Sequence, residues 1–309
     1  MARAAKTAPV RPDATLPAFG ALVAGAVAMG ASPIFVRLAE VGPYTSAFWR
    51  VALALPALWL WARLEDGGRA PAPAAASVRL AAAIAGLLFA GDLIFWHLAI
   101  VNTSVANATF LATLAPVWVV LGSGLFLGEA VTGRLVAGLG LCLVGAAALM
   151  GADLRVAPQQ LIGDAYGLIT SFFFGAYFIA VRRARRGCGT GRLLFLSSQA
   201  TAAVLLVAAL VMEDRMWPTA AGGIAALMAL ALVSHSVGQG FLAYALGHLP
   251  AAFSSVVIFL EGVAAALLGW LVLGEAVGPL QFAGAVAIFT GIAVARPRRE
   301  PQGGVPPPY

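Results

Sequence analysis

Charge is what this sequence has least of. Only 10% of its 309 residues are Asp, Glu, Lys or Arg, whereas 61% are apolar. Soluble domains carry about 25% charged residues. A soluble fold of this length has too little interior to hide so much apolar surface, so lipid must solvate most of the chain. Cysteine and histidine are also scarce. The two cysteines, Cys142 in an apolar run and Cys188 in an Arg-rich loop, offer neither a disulfide framework nor a metal-ligand spacing. His97, His235 and His248 stand apart, and no HExxH pattern is present, so no cofactor and no metal are expected. Clustered nucleophiles, paired metal carboxylates and DDxxD-like motifs are missing too. That weighs against an intramembrane enzyme. The lack of long soluble segments weighs against a non-transporting interaction protein. The net charge of +6 does not imply a nucleic-acid partner, because basic residues in a membrane chain mark cytoplasmic loops.

Long apolar runs dominate what remains. A spanning helix needs about 20 mostly apolar residues. Ten segments qualify as candidates: 17–38, 44–62, 79–100, 104–127, 133–151, 163–181, 192–212, 219–246, 250–273 and 279–295. Arg3, Lys6 and Arg11 precede the first, which is long enough to span and is read as an uncleaved helix rather than a signal peptide. The tail from Arg296 to Tyr309 holds five prolines and is expected to be disordered.

Basic residues set the orientation. With the N-terminus in the cytoplasm, fifteen Lys and Arg residues fall on the cytoplasmic side, and only Arg37, Arg155 and Arg215 fall opposite. Both termini are therefore expected inside.

The chain also repeats itself. Gly128-Glu129-Ala130-Val131 recurs as Gly274-Glu275-Ala276-Val277, 146 residues on. At the same offset Leu114, Val117 and Leu121 match Leu260, Val263 and Leu267. Gly138 and Gly145 likewise match Gly284 and Gly291. Near the start of each half, Gly30-Ala31 and Val36-Arg37 match Gly175-Ala176 and Val181-Arg182. Five spans per half is an odd number, so the halves have opposite orientations. Inverted repeats of this kind place a binding site near the midplane and rock around it. The expected fold is all-α and integral to the membrane: ten transmembrane helices as two inverted five-helix repeats, 17–151 and 163–295, flanked by a cytoplasmic segment 1–16 and a tail 296–309.

Several motifs resemble those of a known family. Leu246-Gly247-His248-Leu249-Pro250-Ala251, Leu260-Glu261-Gly262-Val263 and Leu268-Gly269-Trp270-Leu271-Val272-Leu273-Gly274-Glu275 are similar to the drug/metabolite transporter superfamily, in its ten-helix group with two EamA-type domains. Leu114-Ala115-Pro116-Val117 and Leu127-Gly128-Glu129 give the sister pattern in the first half. Gly262 departs from the family's usual proline, although glycine too is a poor helix former. The resemblance covers roughly 17–295. It implies a secondary transporter of the cell inner membrane that exports amino acids, including aromatic ones, or related metabolites. Nucleotide sugars and cationic drugs are the alternative cargoes within the superfamily.

A charge at a helix centre costs about 2.5–3.5 kcal/mol on insertion scales, so each one needs a reason. Glu261 lies about 16 Å into the ninth helix and Asp92 about 20 Å into the third. Neither has a charged counterpart at the repeat offset, where Ala115 and Gly238 stand. Trp96 shares the face of Asp92, and His235 and Gln239 form an i, i+4 stripe on the eighth helix. Asp92, Trp96, His97, Tyr177, His235, Gln239 and Glu261 are the expected substrate-binding or cavity-lining residues. Arg50, Asn107, Pro116 and Gly262 are expected to be structural or gating, with Arg50 either snorkelling to the interface or meeting a substrate carboxylate. The small faces of helices five and ten should pack within the chain, with a homodimer contact as the alternative. A small-molecule substrate, membrane lipid and proton coupling through Glu261 complete the expected partners. A monomer is expected.

Overall fold

The structure is a computed structural model that describes residues 12–68, 74–103, 105–151, 158–274 and 277–297. Most of the N-terminal segment, most of the C-terminal tail, Arg155, Glu275 and Ala276 lie outside the described residues. The described chain is helical. Nine stretches are long and apolar enough to cross a membrane: α1 (Thr15–Leu38), α2 (Pro43–Glu65), α3 (Ala76–Ala99), α4 (Asn107–Leu127), α5 (Gly133–Met150), α6 (Pro158–Ala184), α7 (Thr190–Met212), α8 (Ala221–Leu246) and α9 (Ala251–Val272). A further apolar helix, α10 (Pro279–Ala295), has 17 residues and falls just short of that length. Leu121, Leu125, Val211, Leu271 and Phe282 are all more than 60% exposed. Such a band of bare apolar side chains is what a lipid-facing surface looks like.

The repeat is visible in the backbone. Gly128 and Gly274 end α4 and α9 with the same left-handed conformation, φ 69° in each case. Only glycine adopts that region without steric cost, and there it closes a helix. Both helices are also broken near their middles, α4 at Thr113–Leu114 and α9 at Ile258–Phe259. Pro116 accounts for the first break because it lacks an N–H. The second forms without proline. The N–H groups of Glu261 and Gly262 turn back to the Ile258 and Phe259 carbonyls, at 2.8 and 3.2 Å, in tight i−3 bonds. Gly262 thus preserves the bend that proline supplies in the first half. Pro33 and Pro56 accompany further breaks, in α1 and α2.

The halves interlock. The most extensive helix contacts each join one half to the other: α5 with α10, α3 with α6 and α7, α2 with α7, α4 with α6, and α1 with α8 and α9. Small residues permit the closest approaches. A Cβ on Gly30 would lie 2.7 Å from the Glu261 carbonyl oxygen and 2.8 Å from the Ala264 Cβ. At the repeat-related crossing, a Cβ on Gly175 would lie 3.0 Å from the Ala115 oxygen and 2.8 Å from the Trp118 Cβ. Between α5 and α10, Gly138 faces the Gly291 oxygen and Gly145 the Gly284 oxygen, where an added Cβ would sit at 2.5 and 2.7 Å. The small faces of these two helices are therefore used inside the chain.

Candidate functional site

The broken centres of α1, α4 and α9 leave a cavity of about 160 Å³ between the halves. Its wall draws on α1, α2, α3, α4, α6, α8 and α9. The helical period explains much of it. Phe89, Asp92, Leu93 and Trp96 repeat at three- and four-residue spacing on α3, as do Thr109, Ala112, Thr113 and Pro116 on α4. No wall residue comes from α7. That helix packs against α2 and α3 instead.

One pair of crossings decides where the space opens. Gly25 of α1 meets Gly238 of α8 closely enough that a Cβ on Gly25 would lie 2.9 Å from the Gly238 oxygen. At the repeat-related crossing, Thr170 and Asp92 stand in those places, and the Thr170 hydroxyl donates to the Asp92 carbonyl at 3.4 Å. Two glycines make a tight contact on one side. On the other a threonine and an aspartate are joined by that bond, and both residues belong to the cavity wall.

Three formal charges line this space: Arg50 from α2, Asp92 from α3 and Glu261 from α9. Arg50 and Asp92 are each 9% exposed. Both carboxylates share the wall with Arg50. The guanidinium carbon stands 6.0 Å from the centre of the Phe89 ring, within cation–π range. Three buried polar atoms of wall residues have no hydrogen-bond partner: Arg50 Nε, Gln239 Oε1 and Ser32 Oγ. Unpaired polar atoms are rare in a protein interior, because each costs about 1–3 kcal/mol. These three belong to residues of one wall, while the unpaired His97 Nε2 and His235 Nδ1 belong to residues outside it.

The expected site residues divide into three groups. Asp92, Trp96, Gln239 and Glu261 lie on the wall, together with Arg50, Pro116 and Gly262 from the residues expected to be structural. His97, Tyr177 and His235 are buried behind it. His97 Nδ1 bonds to the Leu93 carbonyl at 2.5 Å, within its own helix. His235 Nε2 bonds to the Ser198 hydroxyl at 2.9 Å and its ring faces Phe89. Tyr177 lies against Phe89 and Phe174, whose rings form part of the wall. Asn107 is elsewhere, with its Nδ2 donating to Asp164 at 3.1 Å beside Thr103. The eighth helix explains the separation of His235 from Gln239. Residues Leu230–Gln239 form a π-helix, whose wider turn rotates Gln239 away from the α-helical stripe. Phe89, Thr113 and Thr170 were missed, although the first two share helix faces with Asp92 and Pro116.

A family model, the EamA-like transporter family, matches residues 16–151 and again residues 161–296. The chain belongs to the EamA-like transporter family. It is a multi-pass membrane transporter of the drug/metabolite transporter superfamily and not an enzyme. The transporter is 30% identical to the Pseudopaline exporter CntI of Pseudomonas aeruginosa over 226 residues, 70% of this chain and 75% of that one. It is 26% identical to an uncharacterized transporter of Archaeoglobus fulgidus over 277 residues, covering 89% of this chain and 94% of that one. A crystal structure of a protein 24% identical to it superposes with a TM-score of 0.76 over 92% of this chain and 96% of the other, a likeness of fold.

Proposed function

We propose that this transporter exports small amino-acid-like metabolites, aromatic ones among them, by alternating access around the central cavity. The observation that carries the reading is the meeting of Arg50, Asp92 and Glu261 on one wall, with unpaired polar atoms beside them. A midplane site of mixed charge with aromatic walls suits a zwitterion better than a purely apolar compound. The relative named as an exporter supports the direction of transport.

The proposal includes two inverted repeats, 17–151 and 163–295, ten spans with α10 as the tenth, and both termini in the cytoplasm. Placement in the cell inner membrane rests on membership of the EamA-like transporter family. In that orientation the cavity wall falls on the outer halves of α1, α3 and α4. Internal use of the α5 and α10 glycine faces supports a monomer. Proton coupling is assigned to Glu261.

Counterflow in proteoliposomes tests this. Vesicles preloaded with an amino acid should accumulate the labelled form from outside. Failure with every amino acid tried would remove the reading. A second reading, a cationic-drug carrier, draws on the formal excess of two carboxylates over one guanidinium, and amine probes in the same assay separate the two. A nucleotide-sugar carrier has less support, because two carboxylates repel a diphosphate.

A further inference from the structure

We propose that Arg50 is the anchor for the substrate's carboxylate, and that Glu261, Asp92 and Gln239 receive its ammonium group. The assignment rests on the transporter reading of the same cavity.

Arg50 is a cation in the wrong place for a purely structural role. It is buried, it forms no ion pair among the described residues, and its Nε has no hydrogen-bond partner. A guanidinium placed only to hold the fold would be expected to bond a carbonyl or a carboxylate. Elsewhere in the same chain arginines do so. Arg182 bonds Glu129 and the Leu246 carbonyl, and Arg186 bonds the Leu127 carbonyl. Arg50 instead keeps its fork unspent at the cavity wall, over the Phe89 ring. A planar fork of N–H donors binds a carboxylate in two parallel bonds.

The other unspent groups have the opposite character. Gln239 Oε1 is an acceptor without a donor, and the side chains of Glu261 and Asp92 accept when ionised. A simple anion would satisfy Arg50 but meet two carboxylates. A simple cation would satisfy the carboxylates but leave Arg50 bare. An amino acid answers both, with its anionic end on Arg50 and its cationic end toward Glu261, Asp92 and Gln239. Phe89, Trp96, Phe174 and Phe259 are left to surround the side chain.

Four probes of one shape separate these terms: L-phenylalanine, L-phenylalaninamide, 3-phenylpropionate and phenethylamine. Each competes in counterflow with wild-type protein and with Arg50→Gln and Arg50→Lys variants. Wild type should prefer phenylalanine over its amide by on the order of tenfold or more, the scale of one charged hydrogen-bonded contact. Arg50→Gln should erase that preference. Arg50→Lys keeps the charge without the fork and should retain part of it, which carries the test if the Gln variant elutes as aggregate. A structural role would lower all rates together and leave the ratio unchanged. If wild type carries phenylalanine and its amide equally, or Arg50→Gln keeps the ratio, the Arg50 assignment is overturned and the amino-acid reading stands. If only phenethylamine moves, or none of the four, the amino-acid reading fails and the assignment falls with it.

Discussion

Glu65 and Glu213 each close the start of the helix that the other one ends. Glu65, at the end of α2, accepts from the backbone N–H groups of Thr190 and Gly191 at 3.0 and 2.8 Å, at the start of α7. Glu213, one residue past α7, accepts from Tyr44 and Thr45 at 2.6 and 3.2 Å, at the start of α2. The two carboxylates neutralise orphan donors at the positive ends of these helices. Glu129 does the same for Ala251 and Ala252 at the start of α9, while also pairing with Arg182 at 3.2 Å.

Glu65→Ala and Glu213→Ala should each therefore lower stability by about 1–2 kcal/mol, the upper range for loss of a cap. The two sites lie at opposite ends of both helices, so their effects should add in the double variant. Apparent melting temperature in detergent measures this. A double variant no worse than either single one would show that the two caps belong to one cooperative unit.

The glycine seam between α5 and α10 makes a sharper prediction, because it contains its own control. Gly138 and Gly145 leave no room for a Cβ, whereas Gly140 has nothing within 4 Å. Gly138→Ala and Gly145→Ala should each destabilise the transporter by about 1–3 kcal/mol through overpacking. Gly140→Ala should be neutral or stabilising by up to about 1 kcal/mol, since alanine is the better helix former. Thermal unfolding of the three variants side by side is decisive. Equal losses at 138 and 140 would mean that the seam is not the close contact described.

Features that shape the backbone were the most legible in the sequence. The paired Gly-Glu-Ala-Val tetrapeptides and the matched glycines on α5 and α10 recur at a fixed offset, and sterics allow the glycines few other uses. The cavity was legible only in part. Asp92 and Glu261 stood out because a buried charge needs a reason. For Arg50 the sequence leaves two readings open, snorkelling to the interface or meeting a substrate carboxylate. Whether a buried arginine is already paired depends on neighbours from other helices, which a single sequence does not place. Gln239 and His235 were read together on α-helical spacing, and the π-turn between Leu230 and Gln239 has no clear sequence signature to warn of it. Tyr177 and His97 were read as lining because they are polar and aromatic. His97 bonds to the Leu93 carbonyl of its own helix, and Tyr177 packs against the wall residues Phe89 and Phe174.

The buried bonds of the two histidines yield a prediction. His97 is tied to Leu93 of its own helix and His235 to Ser198 of α7. His97→Gln and His235→Gln should reduce stability and lower transport in proportion at every pH, without changing the shape of the pH profile. A profile reshaped by either variant would bring that histidine into the transport cycle.

Glu261 should behave in the opposite way. It lies on the cavity wall with Arg50, and an ammonium ligand is attracted only while its carboxyl is ionised. Acidification protonates it, so substrate affinity in the wild type should fall as pH falls through its titration. Glu261→Gln fixes the group in its uncharged form. The variant should start from weaker affinity, on the order of tenfold for the loss of one charged contact, and should lose little more on acidification. Measuring the apparent KM for counterflow across pH separates the cases. A variant whose affinity falls with acid in parallel with the wild type would move the titrating group elsewhere, and Asp92, the other carboxylate on the wall, would be the next residue to substitute.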